Sequence, residues 1–285
     1  MADLLIPQLE AGSLKQYRML KNAQLVAAIQ AELGSTATLI PLFDTQWDFG
    51  ATSFTSIQSH SDGIEDTFTY SAAPNTWATV PSYEGIVPIL TFDGASNEAD
   101  GSADTYWSRV GGDMTIIACV NMATAASSSI FSKWDATTAT PLREYDFNIN
   151  SDSELSFIAH DESVDDSDFG MKDDTAIVAA QWHQVAVTYD FSAVGGGEDG
   201  TIDLYIDTVE SSVDTSSGAG AFVAMEDTAT VVAVGYRVIA NGSKTNFFNG
   251  SMAGGGCGIW VVQAKVTPEQ LINVNRLQKA ALGKI

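Results

Sequence analysis

Basic side chains are scarce. The chain of 285 residues holds 13 Lys and Arg against 36 Asp and Glu, a formal net charge of -23. A surface of that sign repels DNA, RNA and anionic membrane, so nucleic acid and membrane are excluded as partners. The acids either keep the molecule dispersed in salty water or load it with calcium. Cysteine occurs twice, at Cys119 and Cys257, both within or beside strand-like runs; two unpaired, buried thiols are expected. The three histidines, His60, His160 and His183, sit in unrelated contexts and suggest core or loop roles rather than a catalytic triad. No apolar run approaches the roughly 20 residues of a membrane-spanning helix. Met1–Leu9 contains Asp3 and Pro7 and no basic residue, unlike a signal peptide. The expectation is synthesis in a cytoplasm, with any outside location reached by assembly, lysis or a dedicated route.

What is present is strand periodicity. Val185, Val187 and Tyr189 alternate with Ala186 and Thr188, and Ile202, Leu204 and Ile206 with Asp203, Tyr205 and Asp207. A period of two marks strands. Between them lies a turn with three consecutive glycines, Gly195–Gly197, so the two runs should pair antiparallel and need a second sheet to cover their apolar face. With 45% hydrophobic residues the chain can build one large all-β domain and an appendage.

The appendage is helical. Residues 1 to 12 read as an arm, Ser13 and Gln16 have capping-box spacing, and the Ala-, Leu- and Gln-rich stretch that follows should run as a helix to Leu33 and stop at Gly34. Met19, Ala23, Val26, Ile29 and Leu33 share one stripe. That stripe packs on the sandwich or joins copies of the chain; assembly is the expectation. A second capping box, Thr267-Pro268-Glu269-Gln270, opens a short C-terminal helix ending at Gly283.

The hairpin pattern Trp182-His183, Val185-Ala186-Val187, Thr188-Tyr189-Asp190, a glycine turn and Leu204-Tyr205-Ile206-Asp207 resembles the laminin G-like, pentraxin-like branch of the concanavalin A-like lectin and glucanase superfamily. Further pieces follow in the family's order: Leu39–Asp44, Ile89-Leu90-Thr91-Phe92-Asp93-Gly94, Met114–Asn121 with Cys119 where relatives carry tryptophan, Ser129–Asp135, and the terminal Thr267–Leu271. The resemblance covers Leu39 to Gly283. It implies an antiparallel two-sheet jelly-roll sandwich at 39–285, with residues 1–38 as arm and assembly helix.

The superfamily spans lectins, adhesion modules and enzymes, so each site is weighed on its own residues. The nearest match to the glucanase relatives' Glu-x-Asp-x-Glu is Glu144-Tyr145-Asp146-Phe147-Asn148. Alternation puts Glu144, Asp146 and Asn148 on one face, but an amide cannot serve as the acid, and no enzyme is expected. The acids between Asp161 and Asp174 lack a calcium-loop pattern and read as a solvated loop, and Arg237–Asn241 lacks the acids of the pentraxin-type calcium site. No cofactor is expected, calcium being the one candidate. Gly254–Gly258 has no Lys and opens no helix; it should let backbone pass close to a neighbouring sheet. Trp134, Asp135, Arg143 and Tyr145 form the candidate glycan surface. The overall pattern resembles bacteriophage virion proteins carrying such domains. A homo-oligomeric head or tail appendage, partnered by itself, other virion proteins and host glycan, is the leading expectation; a lectin at an extracellular or cell-surface location is the alternative.

Overall fold

Alternating apolar residues set Trp182–Tyr189 beside Ile202–Ile206, with Val185 opposite Ile206 and Val187 opposite Leu204. On its other edge Trp182–Tyr189 pairs with Met114–Met122, and the sheet continues through Asn249–Ala253 and Val87–Asp93. Ala37–Ile40 and Ile259–Val262 join it beside Met114–Met122. A second sheet runs from Thr215–Gly218 through Ser167–Ala176, Glu154–Asp161, Leu142–Ile149, Ser128–Asp135, Ala233–Val234 and Ala99–Asp100 to Thr67–Tyr70 and Ser53–Thr55. Among the described residues pairing is antiparallel except for one parallel bridge, Val238 to Asp135. The structure, a computed structural model, describes residues 11–44, 47–48, 50–58, 65–77, 82–124, 126–137, 141–163, 167–191, 202–211, 215–218, 222–239 and 241–283.

The two sheets close on one core, in which Ile116, Ala118 and Val120 of the first meet Phe131, Phe147 and Phe157 of the second. The first sheet is covered on its other face as well. Ile117, Cys119, Ala186 and Tyr205 there pack under two helices, α1 (Ala11–Leu33) and α2 (Pro268–Leu282). Double coverage explains why Met114–Val120 is buried at every position and, apart from Thr115, apolar, rather than alternating. It also leaves the second sheet's outward face as the one without a helix among the described residues.

α1 is seated by the glycine-rich segment. A Cβ on Gly258 would stand 2.3 Å from the Ile40 carbonyl oxygen, and one on Gly256 would stand 2.8 Å from Leu25. Asn22 Oδ1 accepts the Gly256 N–H at 2.7 Å. Leu25, Val26, Ile29 and Leu33 fill the seat. α2 opens on the Thr267–Gln270 capping box and stops at Gly283 with φ 69°; its Gln270 side chain donates to Glu32 O at 2.6 Å, tying the helices together.

Three expectations need correction. α1 is already helical at Ala11, so Ser13 is not its N-cap. The stretch read as one acidic loop holds a strand, Ser167–Ala176, because Glu154–Asp161 and Thr215–Gly218 pair with both its edges. The sequence also suggests a strand over Ala229–Tyr236; the strand there is Ala233–Val234, preceded by Val232, which exchanges backbone hydrogen bonds with Gly101 and Ser102. The glycine turn of the hairpin lies outside the described residues.

Candidate functional site

The outward face of the second sheet is shaped by a bulge. In Ser128–Asp135, Phe131 points to the core, so Trp134 points outward. Its neighbour Leu142–Ile149 sets Arg143 opposite Trp134 and Tyr145 opposite Lys133, with Glu144 as the extra residue between. That insertion reverses the alternation. Arg143 and Asp146 face outward, while Tyr145 turns inward, fully buried, and its hydroxyl donates to the Trp107 carbonyl at 3.1 Å. Burial, followed by the nearby Glu144 charge, pushes the Tyr145 hydroxyl well above its ordinary value. Tyr145 therefore lies outside the candidate glycan surface, although it shares a hairpin with Trp134 and Arg143.

Trp134 is the centre of what remains. The Arg143 and Arg237 guanidinium carbons lie 5.9 Å and 5.8 Å from its ring centroid, within cation–π range. The His160 ring meets it edge-on at 5.7 Å. Glu162 fixes Arg143 through Nε at 2.6 Å, and Asp146 fixes Arg237 through Nη1 at 2.9 Å. Ser129 Oγ and Asn148 Nδ2 also donate to Asp146, at 2.6 and 3.0 Å. Burial still pushes the Asp146 carboxyl up, against the pull of Arg237. Asp135 stands at the rim, where it accepts the Thr137 N–H at 2.9 Å and shapes the turn. The result is an aromatic plate bracketed by two neutralised guanidiniums. Arg237 is not among the residues the sequence marks: Arg237–Asn241 stands out there for its lack of acids, whereas the cation is the informative residue. Arg237–Val238 and Lys244–Thr245 form a small hairpin that carries it to Trp134.

The acids once grouped as a possible catalytic row are separated. Glu144 lies on the core side, bound by Lys133 Nζ, by the Thr228 N–H at 2.7 Å and by Ser108 Oγ at 3.1 Å. Lys133 also donates to Ser108 Oγ at 2.9 Å and Thr228 O at 2.6 Å. Both members of this pair are completely buried. Burial pushes the Glu144 carboxyl up although Lys133 opposes it. Glu144 and Asp146 thus hold up opposite sides of one strand and do not share a face.

Other candidates resolve into structural roles. His183 bonds Asp207 through Nδ1 at 2.7 Å and Val178 O through Nε2 at 3.0 Å, bracing its hairpin. Cys119 and Cys257 are buried free thiols that adjoin each other; burial, then Cys119, pushes the Cys257 thiol up. In the acidic stretch, Asp161 accepts the Ser163, Val223 and Ala224 N–H groups and Glu162 holds Arg143; Asp165 and Asp166 lie outside the described residues. Among the described residues no three acids, histidines or cysteines converge to hold a metal. Of the assembly stripe, Val26, Ile29 and Leu33 are 9%, 0% and 4% exposed because their own sandwich covers them; Met19 is partly buried and Ala23 exposed.

Solved structures are similar to this chain at low identity. A mutant Trypanosoma rangeli sialidase displaying trans-sialidase activity has a TM-score of 0.50 at 8% identity, over 98% of this chain and 40% of that one. The botulinum neurotoxin serotype D binding domain has 0.50 at 9%, over 90% and 53%. The Ruminococcus gnavus IT-sialidase CBM40 bound to α2,3-sialyllactose has 0.44 at 15%, over 59% and 84%. No curated protein matches the sequence. Residues 93–254 match the family described as the concanavalin A-like lectin/glucanases superfamily, a span that takes in most of both sheets and the Trp134 plate. The chain belongs to that superfamily.

Proposed function

We propose that this chain is a non-enzymatic, lectin-like module that engages surface glycan through the Trp134 plate and is displayed on a virus particle as a bacteriophage head or tail appendage. The observation that carries the glycan reading is the plate: a partly buried indole on a sheet face without a helix among the described residues, with Arg143 and Arg237 over its ring. A sugar ring has a face of C–H groups and an edge of hydroxyls, and a flat apolar surface rimmed by fixed polar groups complements both. Burial of Glu144 in its own ion pair supports a binding role over hydrolysis, which needs two carboxyls facing one bond. The virion reading rests on the sequence resemblance, with residues 1–38 at the attachment end and 39–285 displayed.

Glycan-array binding of the full chain beside Trp134→Ala tests the site. Wild-type binding to a defined glycan class, reduced about tenfold or more by the substitution, is the expected result; loss of ~1.4 kcal/mol suffices for that factor. Equal binding by both proteins rules the plate out. Mass spectrometry of purified particles tests the virion location, and absence of the chain from them would leave a cell-surface lectin.

A further inference from the structure

We infer that the outward face of α1 is a homodimer interface, across which α1 of a second copy lies antiparallel. The proposal concerns assembly and stands independently of the glycan site. Opposite the buried row Leu25, Val26, Ile29 and Leu33, the helix presents Tyr17, Leu20, Ala23, Gln24, Ala27 and Ala31. Tyr17 is 46% and Leu20 60% exposed, among the largest apolar side chains open to solvent in the described residues. The charged side chain that reaches this face is Lys21, whose Nζ lies 5.9 Å from the Tyr17 ring centroid and donates to Gln24 Oε1 at 3.2 Å; the face carries no acid, in a chain of 36 acids and 13 bases. Along one side it runs into an apolar groove of about 350 Å³, where Met19, Ala23 and Ala27 face Pro41, Phe43 and Trp47.

Shape and charge select the occupant. Bulk is concentrated at the N-terminal half of the face and alanines at the C-terminal half. A two-fold axis midway between positions 25 and 26 sets Leu20 opposite Ala31 and Gln24 opposite Ala27, and the reciprocal pairs follow by symmetry. Each large side chain then meets a small one, which permits interaxial distances near ~8 Å. From Leu14 to Ala31 the helix holds Lys15, Arg18 and Lys21 and no acid. Parallel pairing would bring these cations together. Antiparallel pairing brings them toward the partner's last turn, where Glu32 and the negative end of the helix dipole lie. Elsewhere two copies of net charge -23 repel, so the cationic helix is where they approach at least cost.

Light scattering of the full chain over a dilution series is expected to give twice the chain mass, falling to the single-chain mass for Leu20→Asp with unchanged circular dichroism. Gln24→Cys, beside the axis, is expected to form a disulfide-linked dimer under oxidised glutathione, while Gln16→Cys, far from it, stays unlinked. A monomer at every concentration overturns the proposal, whether residues 1–10 or another protein covers the face. A dimer indifferent to Leu20→Asp overturns it too, and efficient linkage through Gln16→Cys overturns the antiparallel arrangement.

Discussion

Lys133 is the residue on which one end of the core depends. Its ammonium is fully buried and shared among Glu144, Ser108 and Thr228. Replacing it with methionine keeps the volume but leaves the Glu144 carboxylate buried beside Ser108 without its cation. Breaking a buried pair in this way costs about 3–5 kcal/mol, much of which returns if the other partner is neutralised as well. Lys133→Met is therefore expected to lower the denaturant midpoint strongly, and Lys133→Met with Glu144→Gln to recover part of the loss. If the double variant is no more stable than the single one, the uncompensated charge is not the cause. His183 offers a gentler test. Its hydrogen bond to Asp207 holds the imidazole above its ordinary value, and the same bond draws the Asp207 carboxyl down against burial. A raised folded-state value means that this stabilisation is complete below the unfolded histidine value of ~6.5 and is lost as pH rises through the higher folded value. The carboxylate's share is complete above the unfolded aspartate value and is lost as pH falls from there through its own depressed value. Asp207 has φ 52°, a left-handed backbone that asparagine tolerates, so Asp207→Asn removes the charge without straining the turn. The melting-temperature gap between wild type and Asp207→Asn is expected to be wider at pH about 5.5 than at about 9; a gap that widens with pH would reverse the assignment.

At the scale of elements, the helix on the glycine seat couples two parts of the chain that are far apart in sequence. The Gly258 Cα faces the Ile40 carbonyl so closely that a methyl group would stand 2.3 Å away, against backbone that cannot swing aside. Gly258→Ala should push apart Ala37–Ile40 and Ile259–Val262, whose register includes Ile40 opposite Ile259. Loss of about 1–3 kcal/mol is expected from such overpacking, with the α1 amides losing hydrogen-exchange protection before those of Trp182–Tyr189. Uniform loss across both elements would show that the seat is not a separate unit. Which parts of this were legible in the sequence follows from the range of the forces. The Trp182–Ile206 hairpin and the α2 caps depend on neighbours within a few residues, so periodicity and capping chemistry found them. Gly254–Gly258 was correctly read as a place of close backbone approach, although nothing local identified α1 as what approaches. The inward turn of Tyr145 depends on a single inserted residue, Glu144, whose side chain is drawn to Lys133 and Thr228. Alternation cannot register a bulge that distant partners stabilise. Arg237 was invisible for a similar reason: its distance from Trp134 along the chain is closed only when Arg237–Val238 bridges to Asp135.

At the scale of the whole molecule, the two sheets and two helices must fold against a large excess of like charge. The few cations are spent locally: Lys265 lies 2.9 Å from Asp203, Lys172 3.1 Å from Glu154, and Lys279 3.4 Å from Asp207. These pairs are partly exposed, where each stabilises by no more than about 1 kcal/mol. The remaining acids repel one another over distances set by the solution, since the screening length falls from ~30 Å at 0.01 M salt to ~8 Å at 0.15 M. Two effects of salt then oppose each other. Screening weakens the surface pairs, which destabilises, and weakens the general repulsion, which stabilises. With 36 acids against 13 bases, the repulsive pairs outnumber the attractive ones and act over longer range, so repulsion should dominate. The melting temperature is accordingly expected to rise as sodium chloride increases from about 0.01 to 0.15 M and then to level off once the screening length is shorter than the spacing of surface acids. Scanning calorimetry at neutral pH in a monovalent salt measures this without involving any specific ion site. A melting temperature that falls over the same range would mean that the local pairs, not the net charge, govern the stability of this sandwich.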